Sequence, residues 1–288
     1  MRNFKAQIHK MLSHSFIINV YQGLINRLFR KKADDFEALS LGWLQKKYLK
    51  HLPTGKTRTI RIAGGRLYYK APQELLHGLQ EIFIDQIYKQ TFPPKALILD
   101  CGANIGLSVI WMKQWCPQAQ IIAFEPDPAN FLLLEKNIHS YKLDNITCHH
   151  AAVWNENTTR SFLAEGGMAS SFTTTLSKDT ITVKCLRLKD FLEQPIDFLK
   201  LDIEGAEWEV LIDCAQSLMS VKSIFIEYHG QFDEQEKLVQ LLDILKNAGF
   251  QFYIREAAPL HPTPFFRDKL KQHPYQLQLN IFGFRISR

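Results

Sequence analysis

Hydrophobic and polar positions along the chain change period several times, and each change marks an element. Phe4, Ile8, Met11, Leu12, Ile17, Val20, Leu24, Ile25 and Leu28 recur at roughly helical spacing. This predicts a helix over Asn3–Phe29, closed by Arg30-Lys31-Lys32. A second helix is expected over Phe36–Leu49, before Pro53-Thr54-Gly55 breaks the chain. Thr57–Lys70 reads as a hairpin turned at Gly64-Gly65, and Glu74–Tyr88 as a helix ahead of Pro93-Pro94. A regular alternation follows. Ala96–Leu99 is a continuous apolar run of the kind a buried parallel strand requires. After it come helix Ile105–Trp115, strand Ile121–Phe124, helix Ala129–His139 and strand Ile146–Ala152. Strand Phe198–Ile203, helix Ala206–Met219, strand Ser223–Tyr228 and helix Glu234–Ala248 complete the alternation. The chain then ends in strand-like runs at Gln251–Ile254 and Gln276–Arg285.

Strands alternating with helices through short links imply a parallel sheet covered on both faces, so the fold class is α/β and doubly wound. The final two strands have no helix between them, which predicts an antiparallel hairpin at the sheet edge. Residues 158–184 interrupt the alternation with Ser, Thr and Gly, including Gly166-Gly167-Met168-Ala169-Ser170-Ser171. They are expected to form an inserted loop or hairpin, and a candidate lid. The expected organisation is a helical extension over 1–55 and a main domain over 56–288 with its core at 95–288. No internal repeat is found.

Composition narrows the class. A chain of 288 residues with 46% hydrophobic and 22% charged residues excludes a disordered, collagenous or coiled-coil protein. No apolar run reaches the roughly 18 to 20 residues that span a bilayer. Five cysteines (Cys101, Cys116, Cys148, Cys185 and Cys214) are widely spaced without a C-x-x-C pair. Neither a disulfide framework nor a zinc knuckle is indicated, and a cytoplasmic location is expected. The net charge is +6, but residues 1–50 carry +7 and residues 255–288 carry +4, which leaves −5 for the centre. A basic start and end around an acidic centre speaks against a nucleic-acid track, and no nucleic-acid partner is expected. Residues 1–32 combine apolar positions with cations, which makes them a candidate for peripheral contact with the inner membrane face or for a homodimer interface.

In a doubly wound sheet, ligands bind beyond the carboxyl ends of the strands, where strand order reverses. The polar residues that follow each strand are the informative ones. The first strand runs into Asp100-Cys101-Gly102-Ala103-Asn104-Ile105-Gly106 and then a helix. Its G-x-x-x-G spacing is neither the dinucleotide G-x-G-x-x-G nor a Walker loop. Asp100 before the turn would repel a pyrophosphate and suit a cationic amine. The second strand ends in Glu125-Pro126-Asp127, with Glu125 lying 23 residues after Gly102. A carboxylate at that point accepts hydrogen bonds from ribose hydroxyls, although Glu125 or Asp127 could instead cap the next helix. Turn and acid together indicate an adenosine cofactor without a pyrophosphate, and S-adenosyl-L-methionine, a cation, fits better than NAD.

Asp202, Glu204 and Glu207 follow the fourth strand. Asp202 and Glu204 are expected to share one strand face by two-residue alternation. Glu207 falls in the first turn of the next helix, where a favourable helix dipole is the alternative to a site role. The fifth strand ends in Glu227-Tyr228-His229-Gly230, and His229 is a candidate general base. His149 and His150 read as structural. No cluster has a recognisable metal-ligand spacing and no metal is expected, although Asp202, Glu204 and His229 could in principle hold one.

The strings LILDCGANIGLS, AFEPDP, LRLKDF, DFLKLDIEGAEWEVL and IFIEYHG, in this order and around a Ser/Gly-rich insertion, resemble the FkbM family of S-adenosylmethionine-dependent methyltransferases. The upstream EIFIDQIY is similar to the segment that precedes the first motif in that family. The match covers roughly Glu81–Gly230. It implies a Rossmann-like methyltransferase sheet of seven strands whose last strand is antiparallel. It also implies that Asp100, Gly102, Ala103, Asn104 and Gly106 line the methionine portion of S-adenosyl-L-methionine. Glu125 would hold the ribose, Pro126 and Ala152 would border the adenine, and Asp202 would complete the cofactor site. The implied reaction is O-methylation of a hydroxyl on a sugar, glycan or secondary metabolite. His229 or Asp202 would then act as base and Glu204 would position the small-molecule or glycan acceptor. The competing readings are a nicotinamide-dependent oxidoreductase, an N- or carboxyl-methyltransferase, and a non-catalytic binding or scaffold protein that keeps the fold.

Overall fold

A computed structural model describes residues 39, 41–163, 171–172, 180–258, 260, 265 and 274–285. The helix expected over Asn3–Phe29, the membrane or dimer contact through residues 1–32, and residues 164–170 and 173–179 of the candidate lid at 158–184 lie outside the described residues. The chain divides into two units, Met1–Tyr48 and Leu49–Arg288. The elements in chain order begin with α1 (Trp43–Lys50), β1 (Arg58–Ile62), β2 (Gly65–Tyr69) and α2 (Pro72–Gly78). Next come β3 (Leu97–Cys101), α3 (Leu107–Trp115), β4 (Gln120–Phe124), α4 (Pro128–Ser140) and β5 (Ile146–His149). Then follow β6 (Ala152–Trp154), β7 (Thr158–Leu163), β8 (Ser171–Phe172), β9 (Thr180–Arg187) and β10 (Ile196–Leu201). The series closes with α5 (Glu207–Cys214), β11 (Val221–Gly230), α6 (Gln235–Asn247), β12 (Gln251–Glu256) and β13 (Leu277–Phe284).

The main sheet has seven strands in the order β12-β13-β11-β10-β3-β4-β5. All run parallel except β13, which is antiparallel to both β11 and β12. This is the doubly wound α/β arrangement expected from the sequence. The final hairpin forms as expected, but β13 slots between β11 and β12 and leaves β12 as the edge. Strand order reverses between β3 and β10, which pair in parallel through Phe198–Ile98 to Leu201–Cys101. Ile98, Leu99, Leu199 and Leu201 are inaccessible to solvent there, and the contiguous apolar runs exist for that reason.

Several boundaries differ from the sequence reading. The helix expected over Glu74–Tyr88 is α2 followed by a π-helical turn at Leu79–Ile84. The run Ile146–Ala152 is two strands. β5 joins the main sheet, while β6 pairs with β9 in a second sheet ordered β6-β9-β7-β8. The insertion is therefore a hairpin, with β7 and β9 antiparallel from Thr158–Cys185 to Leu163–Thr180. In the β1–β2 hairpin the turn falls on Ala63 and Gly64, both at positive φ. Gly65 already belongs to β2, where a side chain would collide with the Tyr141 ring. Asp127, not Glu125, caps α4, accepting from the Ala129 and Asn130 amides at 2.8 and 2.9 Å with Pro128 in the first turn. All five cysteines are free. Among the described residues no helix is long and apolar enough to cross a membrane.

Candidate active site

The loop after β3 has to turn sharply, because α3 starts six residues after Cys101. Gly102, Asn104 and Gly106 all take left-handed backbone conformations at φ 87°, 49° and 88°. Gly102 is fixed by packing as well, since a Cβ there would sit 1.8 Å from the carbonyl oxygen of Asp202. The loop is tied to β4 by the Gly102 and Ala103 amides, which donate to the Phe124 carbonyl at 3.0 and 2.9 Å. Asn137 of α4 braces it from behind, with its amide nitrogen on the Ile105 carbonyl at 2.8 Å and the Tyr68 carbonyl at 3.0 Å.

A cleft opens over this loop at the carboxyl edge of the sheet. Gly102, Ala103, Asn104, Glu125, Pro126 and Ala152 line it, as do Asp202 and Glu204 from the loop after β10 and Glu227 from β11. Glu81 from the π-helical turn joins them. The sequence reading thus brings most of its chosen residues to one place, and three need correction. Asp100 is inaccessible beneath the floor of the cleft, where Ser108 donates to it and Lys200 lies 3.4 Å away. Gly106 starts α3 and packs on Leu134 without lining the cleft. His229 also lies behind the wall, not on it. A further difference concerns Asp202 and Glu204. Strand β10 stops at Leu201, so they reach the same cleft from a loop rather than from one strand face. Glu204 has φ 55°, and its carbonyl accepts from the Tyr275 hydroxyl at 2.5 Å.

Lys200 organises the floor. Its buried ammonium donates to the Gly102 carbonyl at 2.8 Å and lies 3.2 Å from Asp202 and 3.4 Å from Asp100. Burial alone would lower its pKa, but Asp202 and Asp100 outweigh that and hold it well above the ordinary lysine value. Sequence reasoning missed this residue. Its signal was a lone charge inside the apolar strand Phe198-Leu199-Lys200-Leu201, in register with Asp100 on β3.

Four acids of the cleft are shifted upwards. Glu125 accepts the Asn104 amide at 2.8 Å on one oxygen and the Asp127 amide at 2.9 Å on the other. Burial nevertheless pushes its pKa up to about 8. Burial and the neighbouring Asp202 raise Glu81 to about 7. Glu204 rises to about 8 through burial, with His229 acting against it. Burial and Asp202 drive Glu227 well above the carboxylate range. His229 behaves in the opposite sense. Burial would lower its pKa, but Glu207, Glu204 and Glu227 overcome that and raise it to about 10. Its Nδ1 lies 3.3 Å from Glu207, and its Nε2 lies 3.6 Å from both Glu204 and Glu227. An imidazole held as imidazolium at neutral pH cannot take a proton, so His229 is not the free base expected from the sequence. Glu207 does more than meet a helix dipole. It is inaccessible to solvent and accepts the Ile203 and Gly205 amides at 3.1 Å each, which fixes the Asp202–Glu204 loop.

The chain matches the sequence pattern described as the Methyltransferase FkbM domain over residues 100–252. The protein belongs to the FkbM methyltransferase family. "Methyltransferase 1" of Beauveria bassiana is 31% identical over 169 residues, covering 49% of this chain and 67% of that protein. "2-O-methyltransferase NoeI" of Sinorhizobium fredii is 27% identical over 184 residues, covering 56% of this chain and 75% of that protein. The crystal structure of methyltransferase FkbM from Methylobacillus flagellatus superimposes with a TM-score of 0.46 at 18% identity, covering 68% of this chain and 45% of that chain. The cofactor of this FkbM methyltransferase is S-adenosylmethionine, and the residues present fit it. Each Glu125 oxygen spends one lone pair on a backbone amide and keeps another for a ribose hydroxyl. The charged groups on the cleft wall are mostly acids, and the Lys200 ammonium is turned down to the Gly102 carbonyl, which suits a cationic ligand.

Proposed function

We propose that this FkbM methyltransferase transfers a methyl group to a hydroxyl oxygen of a sugar, a glycan or another polyhydroxylated small molecule. The observation that carries the reading is the convergence of Glu81, Asp202, Glu204 and Glu227 on one stretch of cleft wall beside the Gly102–Asn104 loop. A hydroxyl acceptor needs hydrogen-bond acceptors to orient it and one of them to take its proton, and carboxylates supply both. The relationship to a protein named as a 2-O-methyltransferase supports the same choice.

Bound in the cleft, S-adenosylmethionine supplies an electrophilic methyl group. The protein's share is alignment and proton management. Glu125 would anchor the ribose, and the Gly102–Asn104 backbone would carry the methionine end. Lys200 pairs with Asp202 and ties it to the loop after β3. Glu204 takes the role of proton acceptor in place of His229: its carboxylate faces the cleft on a loop pinned by Glu207 and Tyr275, and with a pKa raised to about 8 it is ionised and able to take a proton above that pH. His229 holds that loop electrostatically from behind.

The test is transfer of radiolabel from the methyl of S-adenosylmethionine to panels of saccharides, other polyols, amines and carboxylic acids. An alkali-stable methyl ether on a hydroxylated acceptor is the expected product, and Glu204→Gln should lower kcat by about 100-fold or more with cofactor Kd retained. Label found only on amines or as an alkali-labile ester would overturn O-methylation. Saturable cofactor binding without turnover on any panel would favour a non-catalytic role.

A further inference from the structure

The acidic wall contains a geometry that the sequence spacing does not show. One ligand atom each from Asp202, Glu227 and His229 lie within 4.8 Å of one another. Glu227 and His229 sit two residues apart on β11 and so share a face, while Asp202 arrives from the loop after β10. The Asp202 and Glu227 side chains are 23% and 16% exposed, which leaves the group open to the cleft, whereas the His229 side chain is 1% exposed. Two further features are what an ion site requires. The buried Glu207 carboxylate, fixed by backbone amides, holds His229 through Nδ1 and turns Nε2 towards the other carboxylates. A carboxylate behind the far ring nitrogen is the usual outer partner of a metal-bound histidine. Secondly, Asn280 lies directly across the β11–β13 pair from Glu227 and so points to the same face. It is inaccessible to solvent, and its amide oxygen and nitrogen both lack a hydrogen-bond partner. Asn280 faces Glu81, at the rim of the group, and acts to lower that acid's pKa, but makes no hydrogen bond of ordinary geometry to it. A fully buried amide without partners is costly unless something joins it.

We propose that Asp202, Glu227 and His229 Nε2 form a binding site for a divalent cation, Mg²⁺ or Mn²⁺, in the wall of the cleft. Two carboxylates and an imidazole suit these ions, which bind through oxygen and tolerate one nitrogen. On binding, the cation displaces the proton from His229 Nε2, and that proton leaves to solvent. Three protein ligands leave about three positions of an octahedral ion for water, the Asn280 amide through water, and acceptor oxygens. This role rests on the hydroxyl-methylation reading, and it extends it: the acceptor would present two neighbouring oxygens to the ion.

The experiment titrates the full chain with MnCl2, following free Mn²⁺ by its electron paramagnetic resonance signal, with S-adenosylmethionine binding measured on the same samples. One Mn²⁺ per chain is expected, displaced by excess Mg²⁺. Glu227→Gln and Asp202→Asn should each weaken it at least tenfold, while Glu74→Gln should not. Pulsed spectra of the wild-type complex should show nitrogen coupling from a directly bound imidazole. Absence of saturable Mn²⁺ binding, or of nitrogen coupling in the wild-type complex, overturns the proposal whether or not the variants fold. If S-adenosylmethionine still binds in that case, only the cation site falls. If the donor fails to bind to folded protein, the methyltransferase reading falls instead.

Discussion

Glu125 makes cofactor affinity depend on pH, with a sign that follows from its surroundings. In the free protein burial raises its pKa to about 8 despite two backbone donors. Ribose hydroxyls would add donors to the same carboxylate, and these favour the ionised form, so binding pulls the pKa down. Affinity attributable to Glu125 is therefore full above the free-state pKa and is lost as pH falls through about 8. At pH 7 a group with a pKa of about 8 is roughly nine-tenths protonated, so affinity should fall about tenfold from pH 9 to 7, or about 1.4 kcal/mol. The donor's own α-amino group titrates at about 7.7–8.0 and works in the other direction where its charge is recognised, so the decisive quantity is the difference from Glu125→Gln. Calorimetric titration from pH 6.5 to 9.5, in two buffers of different ionisation enthalpy, measures affinity and proton release together. The wild type should release about one more proton than Glu125→Gln at pH 7. Equal proton release and parallel pH profiles in the two proteins would refute the assignment. The same shift has a stability consequence. A carboxylate with a raised folded-state pKa favours folding below its unfolded pKa, and that contribution is lost as pH rises through about 8. Glu125→Gln should accordingly raise the Tm of the cofactor-free protein at pH 9 while weakening donor binding.

Other consequences are as direct. Gly102→Ala places a methyl group 1.8 Å from the Asp202 carbonyl oxygen at a left-handed backbone position. It should cost about 3 kcal/mol or more and abolish cofactor binding, read by urea denaturation and calorimetry. Lys200→Met removes the cation between Asp100 and Asp202 and leaves the buried Asp100 carboxylate without its charge partner. A loss of about 3–5 kcal/mol is expected, and a loss under about 1 kcal/mol would show that the two acids do not depend on it. Tyr275→Phe deletes the donor to the Glu204 carbonyl. It should cost about 1 kcal/mol and reduce kcat while leaving donor Kd unchanged.

The alternation of apolar runs with helical periods was sufficient to read β3, β4, β10 and β11 and the helices between them. Buried parallel strands leave little room for anything but Val, Ile, Leu and Phe. The same reasoning failed at Ile146–Ala152, where apolar character persists while the chain leaves one sheet for another. Periodicity records burial and not which neighbour supplies it. It also failed beyond Leu201, where Asp202 and Glu204 keep a two-residue spacing on a loop. There the left-handed Glu204 is set by Tyr275, a residue 71 positions away. The G-x-x-x-G turn and the acid after β4 were legible because both depend on local backbone geometry at a strand end.

The charges behave differently, because their meaning depends on partners the sequence does not place. Asp100 reads from sequence as a cofactor ligand, since it precedes the turn. In the fold it faces Lys200 from the neighbouring strand and is neutralised under the floor. His229 reads as a base because an imidazole at a strand end ordinarily titrates near neutrality. Three carboxylates, from the loop after β10, the first turn of α5 and its own strand, raise its pKa instead to about 10. In both cases one electrostatic rule decides the outcome: a buried charge survives only where an opposite charge meets it. Applied to the cleft as a whole, that rule divides it. The Lys200 ammonium satisfies Asp100 and Asp202 on the cofactor side. On the far side burial raises Glu81, Glu204 and Glu227 together, with Arg255 acting against this at Glu81, His229 and Lys200 at Glu204, and His229 at Glu227. An excess of buried acid in the cleft wall is unstable as a set of free carboxylates. It becomes favourable when it takes up protons from acceptor hydroxyls or a positive ion, and both belong to the chemistry proposed for this wall.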